Sequence, residues 1–260
     1  MAESVPRVGL FVTCLVDTFR PSVGLSALQV LEAAGCSVVV PEGQTCCGQP
    51  ADNSGDVATA RAVARGLIRA FEDCDYVVAP SGSCASTLRH RYPVLLADDP
   101  ALAEPARALA GKTHELTCFL ADVLDHVPAG MAWPGVAVYH DSCAGLRELG
   151  IKAQPRRLLA AVEGLTVLDA AEPEECCGFG GTFAVKYPEV STRMVEAKAS
   201  DLEATGADLV LGGDLGCLLN IAGRLRRRGG RPMEVRHVAE VLAGARHVPP
   251  IGAPGEGAGR

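Results

Sequence analysis

The chain is predicted to be an α/β protein made of two pseudo-repeated halves, each a short parallel sheet flanked by helices. Three observations lead there. Short apolar runs of strand length alternate with longer stretches of helical spacing, the pattern of parallel sheets. That alternation is passed through twice in 260 residues. Eight of the eleven cysteines also fall at matching points of the two passes, as Cys14, Cys46, Cys47 and Cys84, then Cys143, Cys176, Cys177 and Cys217. Cys14 lies 32 positions before Cys46, and Cys143 lies 33 before Cys176; Cys47 lies 37 before Cys84, and Cys177 lies 40 before Cys217. Such a duplication implies one soft-metal arrangement made twice.

In the first half, Val8 to Val12 is a buried-strand run that ends near Cys14. Ser22 to Ala34 has helical spacing, and Gly35 is a stop signal. Ser37 to Val40 is strand-like and closed by Pro41. Cys46-Cys47-Gly48 follows as a turn. Asp56 to Phe71 is a helix with Val57, Ala60, Val63, Ala64, Leu67, Ile68 and Phe71 on one side. Tyr76 to Ala79 is a strand leading into Ser81-Gly82-Ser83-Cys84.

The second half repeats this order. Val136 to Tyr139 is a strand, Pro155 to Val162 a helix and Leu165 to Leu168 a strand. Cys176-Cys177-Gly178 is the second turn, extended by Phe179-Gly180-Gly181. Ser191 to Ala204 is a helix, and Leu209 to Leu211 a strand leading to Cys217. Each half closes on a strand and helix, Glu115 to Leu124 and Glu234 to Leu242, with Glu115 aligned to Glu234. The two halves are expected at residues 7–127 and 136–245, joined by Pro128 to Gly135. Residues 246–260, rich in Gly and Pro beyond Pro249, are expected to form a disordered tail.

Composition narrows the function. The chain is 48% hydrophobic and 21% charged, enough for a real core, and only 4% aromatic. A net charge of −7 argues against nucleic-acid binding, which needs a basic face. The one basic run, Arg224 to Arg231, reads as a helix end. No signal peptide and no apolar run of about 18 residues is visible, so a cytoplasmic protein without a transmembrane segment is expected. Thiols stay reduced in that compartment, which favours metal or redox chemistry over structural disulfides.

The thiol spacing narrows it further. Cys-x2-4-Cys, the usual zinc spacing, is absent. Ligands at the carboxyl ends of parallel strands gather on one edge of a sheet, and all eight cysteines follow strands on this reading. Adjacent cysteines reach two irons of one cluster more easily than one tetrahedral ion. Four thiolates is the usual complement of an iron–sulfur cluster. Vicinal disulfides, zinc within each half and inert buried thiols are the competing readings. Cys36, Cys74 and Cys118 have no counterpart in the repeat and read as ordinary packing or surface residues. His140 and Asp141 stand just before Cys143, as surroundings of a metal, a proton relay or an ordinary strand end. His237 reads as structural.

The residues carry a resemblance. Cys14, Cys46-Cys47-Gly48 and Ser81-Gly82-Ser83-Cys84, with their repeat, resemble the cysteine-rich CCG domain of heterodisulfide reductases, glycolate oxidase iron–sulfur proteins and anaerobic glycerol-3-phosphate dehydrogenases. Tyr139-His140-Asp141-Ser142-Cys143, Cys176 to Phe183 and Gly213 to Cys217 are most similar to the lactate utilization protein A family, over residues 7 to 245. That resemblance implies an iron–sulfur electron-transfer component in the oxidation of L-lactate to pyruvate. Two clusters, of the 4Fe-4S type, would rest on Cys14, Cys46, Cys47 and Cys84 and on Cys143, Cys176, Cys177 and Cys217. Its partners would be other lactate-utilization proteins of one operon, including one with ferredoxin-type clusters. Glycolate or glycerol-3-phosphate oxidation, or a thiol–disulfide reductase, are the alternatives. Heterodisulfide reductase has Cys-x-x-Cys at the third site. Here Ser81 and Asp214 take the first of those positions, which leaves four thiols per set and makes Asp214 a candidate oxygen ligand. No Gly-x-Gly-x-x-Gly follows the opening strand, so no dinucleotide site is expected.

Overall fold

The computed structural model describes residues 5–253. The chain divides into two compact units, Met1–His126 and Val127–Arg260. The first contains strands β1 (Arg7–Leu10), β2 (Ser37–Val39), β3 (Tyr76–Ala79) and β4 (Thr113–Glu115). The second contains β5 (Ala132–His140), β6 (Glu163–Leu168), β7 (Leu209–Gly212) and β8 (Glu234–His237).

Each unit is one four-stranded sheet in which every pairing is parallel. The orders are β2-β1-β3-β4 and β6-β5-β7-β8, the same topology twice. Central strands buried on both faces need apolar side chains throughout. Val77, Val78 and Ala79 of β3 and Leu209, Val210 and Leu211 of β7 supply them. Helices cover the sheets. Pro21–Ala33 starts on a proline, whose missing N–H costs nothing in a first turn. Val57–Ala70 is capped by Asp56, which accepts from Thr59 N at 3.1 Å, and buries Ala60, Ala64, Leu67 and Ile68 on one stripe.

This strand order creates the place for a site. From β1 the chain moves outward to β2, then returns across β1 to β3 on the other side. The loops leaving β1 and β3 therefore part, and a crevice opens at their carboxyl ends. The same crevice lies between β5 and β7 in the second unit.

The structure departs from the sequence expectations in several places. Strand β5 starts at Ala132, inside the expected join. Its register shifts between Ala132 and Gly135, where Pro134 has no N–H for the ladder. The expected disordered tail is ordered as far as Ala253. Ile251 is buried and its N–H donates to Val235 O at 2.8 Å, which ties the segment to β8; residues 254–260 lie outside the described residues. Two helical stretches lack a clear sequence signal: Ala103–Lys112, and the run formed by Gly82–Ser86, a π-helical turn over Thr87–Arg91, and Tyr92–Leu95. The closing strands align differently too. Val77 pairs with Thr113 and Val210 with Val235, so Glu115 corresponds to His237 rather than to Glu234. Both are helix N-caps: Glu115 accepts from Thr117 N at 2.8 Å, and His237 Nδ1 accepts from Ala239 N at 3.1 Å. That is the structural role expected of His237. The basic run is the end of the helix Leu215–Arg228 and the turn after it. Arg224 and Arg228 pair with Glu196, and Arg231 pairs with Asp208.

Candidate metal centres

In the first unit, the four predicted thiols meet at the crevice. Cys14 opens the helix Cys14–Phe19 directly after β1. Cys84 sits in the first turn of Gly82–Ser86, directly after β3. Cys46 and Cys47 lie on the loop after β2. Gln44 ties that loop to the end of β1: its Oε1 accepts from Val12 N at 2.8 Å, and its Nε2 donates to Pro41 O at 3.2 Å. The thiols form a chain of hydrogen-bonding contacts from Cys14 to Cys46, Cys46 to Cys47 and Cys47 to Cys84.

The second unit repeats the arrangement. Cys143 follows β5, Cys217 lies in the first turn of Leu215–Arg228 after β7, and Cys176 and Cys177 lie on the loop after β6. Contacts run from Cys143 to Cys176, Cys176 to Cys177 and Cys177 to Cys217. The innermost thiols, Cys47, Cys84, Cys177 and Cys217, are buried. Cys14, Cys46 and Cys176 are half-buried, and Cys143 is exposed.

The electrostatics of the two sets match. Cys46 accepts from the thiols of Cys14 and Cys47 and from the N–H of Gly48, at 3.4 Å for the last, and its pKa falls to about 2. Cys14 is pushed up by the same bond with Cys46, and then by burial. Cys47 is pushed up by its bonds to Cys46 and Cys84 and by burial. Cys176 falls likewise to about 2, through Cys143, Cys177 and the N–H of Gly178 at 3.4 Å, while Cys143 and Cys177 rise. In each set one sulfur, Cys46 or Cys176, is thus favoured as thiolate over the two thiols that bond to it. Cations that displace the thiol protons gain soft sulfur donors already gathered in one place.

The glycine after each pair makes a tight turn. Gly48 has φ +82° and Gly178 has φ +77°, the left-handed region where a Cβ is costly. At Gly178 a Cβ would also stand 2.7 Å from Ser191 O. Close packing against the helix Pro188–Ala204 also demands glycine there. Next to it, Phe179 covers Gly216, where a Cβ would come within 2.5 Å of the ring. The sequence offered no sign of two further supports. Tyr92 Oη donates to Cys47 O at 2.9 Å, and Asn220 Nδ2 donates to Cys177 O at 2.8 Å. Both come from helices some forty residues along the chain.

The remaining candidates fall into place. The thiol of Cys36 is raised by burial alone, and that of Cys74 mainly by burial; a Cβ on Gly9 would stand 2.8 Å from the Cys74 sulfur. Cys118 is raised to about 12 by burial, Glu115 and Asp122. Among the described residues no other thiol acts on these three, so they pack as expected. Asp141 is buried and bound at both oxygens by Arg156, at 2.9 and 2.8 Å. Asp214 is buried close enough to raise the thiols of Cys143 and Cys217. His140 lies with Cys177 and Cys217, the ligand atoms of all three within 4.8 Å of one another. No helix among the described residues is long and apolar enough to cross a membrane.

Comparison with known proteins agrees with this architecture. The cysteine-rich CCG domain model matches residues 8–89 and 137–222. Lactate utilization protein A of Bacillus cereus strain B4264 is 50% identical over 236 residues, covering 91% of this chain and 98% of that protein. Lactate utilization protein A 2 of Bacillus mycoides is 49% identical over the same shares. Among solved structures, a hypothetical protein from Helicobacter pylori superposes with a TM-score of 0.66 at 11% identity. It covers 93% of this chain, which spans 51% of that one, and the likeness concerns the fold alone. With two CCG domains and half its residues shared along nearly the whole length of these relatives, the chain belongs to the lactate utilization protein A family.

Proposed function

We propose that each unit holds one iron–sulfur cluster of the 4Fe-4S type, and that the chain carries electrons in the oxidation of L-lactate to pyruvate. The observation that carries this reading is the double gathering of four thiols at the crevice of a parallel sheet. The donor set fits the group: four cysteine sulfurs per site, two of them adjacent, is the complement of a polynuclear cluster. Once bound, such clusters would supply one-electron storage, and a two-electron oxidation is matched by two of them in one chain.

The chain's own part is to bind and to tune. Cys14, Cys46, Cys47 and Cys84 hold one centre, and Cys143, Cys176, Cys177 and Cys217 the other, with Asp214 a nearby oxygen donor to the second. The N–H groups of Gly48 and Gly178 point at the sulfurs of Cys46 and Cys176. Hydrogen bonds to ligand sulfur stabilise added negative charge and raise a centre's potential. Partner proteins of the same system would take lactate's electrons in and pass them on, one of them through ferredoxin-type clusters.

The test is anaerobic purification with iron, sulfide and EPR analysis, paired with growth of a deletion strain on lactate and on glycolate. The expected results are about four irons per unit and growth lost on lactate alone. Zinc in place of iron, or a colourless protein after reconstitution, would refute the cluster assignment. Growth lost only on glycolate would refute the substrate.

A further inference from the structure

We infer that the imidazole of His140 touches the second centre and sets its potential above that of the first, where the corresponding residue is a phenylalanine. The inference rests on the cluster reading above and deepens it. His140 ends β5, three residues before Cys143. Phe11 stands three residues before Cys14, directly after the last residue of β1. Phe11 is fully buried against Phe71, with ring centroids 5.8 Å apart. At the corresponding position the first unit thus carries a hydrocarbon ring and the second an imidazole.

The imidazole is built for a partner that the protein itself does not provide. His140 is 3% exposed, and neither ring nitrogen has a hydrogen-bond partner among the described residues. A histidine kept only for packing satisfies at least one nitrogen, because a buried bare N–H is costly. A ring nitrogen of His140 and the sulfurs of Cys177 and Cys217 lie within 4.8 Å of one another, the distance range of groups around one cofactor. An imidazole ring always carries at least one N–H to donate. Donated to cluster sulfur, that N–H favours the reduced, more negative state. Two centres that share a sulfur framework are thus made unequal, and the second becomes the better electron acceptor.

The test uses the full chain, reconstituted anaerobically with iron and sulfide. Pulsed EPR of protein labelled with 15N-histidine should show a histidine nitrogen coupled to one reduced centre, and His140→Phe should abolish that coupling. In a redox titration, His140→Phe should lower one of the two midpoint potentials and leave the other unmoved. His140→Gln, which keeps an N–H, should recover part of the loss. Both centres present, no histidine nitrogen coupling and unmoved potentials would overturn the role of His140 and leave the cluster reading intact. Absence of iron from the unaltered protein would overturn both. If His140→Phe failed to assemble its centre, the labelled unaltered protein would still decide, since its measurement needs no variant.

Discussion

Single residues divide into those that supply sulfur and those that shape the backbone carrying it. Cys47 and Cys177 are the buried members of the adjacent pairs, each bonded to two other thiols. Replacing either with serine removes a soft donor from the centre of its set. Cys47→Ser and Cys177→Ser should each lower bound iron by about half, as measured by iron analysis of anaerobic protein. The glycines make a finer comparison. Both lie in the left-handed region, where a side chain costs about 1–2 kcal/mol. A Cβ at Gly48 would come no nearer than 3.4 Å to Val63 Cγ1, whereas one at Gly178 would meet a backbone oxygen at 2.7 Å. Gly178→Ala should therefore destabilise more than Gly48→Ala, by about 1 kcal/mol further, in urea unfolding. Equal costs would mean that the helix Pro188–Ala204 gives way easily.

At the scale of elements, the loops after β2 and β6 are held by side chains from distant helices. Arg156, on the helix Ala153–Leu159, reaches from the second unit's surface to the buried Asp141, whose side chain is 1% exposed, and also to Asp169. Its guanidinium joins the end of β5 to the segment after β6 and is held firmly charged despite burial, by Asp141 and Asp169. Arg156→Ala would strand the Asp141 carboxylate. A loss of about 3 kcal/mol is expected, read as a lower midpoint in urea. Arg156→Lys should restore only part of it, because lysine cannot bind both carboxylate oxygens at once. The helices that carry Cys84 and Cys217 were only half legible. Ser81-Gly82-Ser83 and Gly212-Gly213 look like loop composition, yet each cysteine lies in a first helical turn. Glycine and serine near a helix start satisfy capping and close packing, so their local signal is ambiguous. Ser81 does cap, its hydroxyl accepting from Cys84 N at 3.4 Å.

Over the whole molecule, the repeat predicts two sites that fill independently. Each unit has its own sheet and its own four thiols. The losses of Cys47→Ser and Cys177→Ser should add, and the double variant should bind almost no iron. A double variant that kept half its iron would show that one set had been misassigned. The order of the strands was legible throughout, since parallel strands buried on both faces leave continuous apolar runs. Less legible were the closing strands, matched on glutamates that prove to be three residues out of register, and the C-terminal segment, whose glycines and prolines mask the anchoring of Ile251 on β8.

The sequence by itself determined the duplication, the α/β class and the eight cysteines, because spacing and hydrophobic period are properties of the chain alone. Only the tertiary structure decided that the four thiols of each unit form one chain of contacts, and that His140 stands beside Cys177 and Cys217 with no hydrogen-bond partner among the described residues. The physical reason is the strand order. A crossover that reverses direction between neighbouring strands brings together loops far apart along the chain, and no local pattern records which side chains will then face one another.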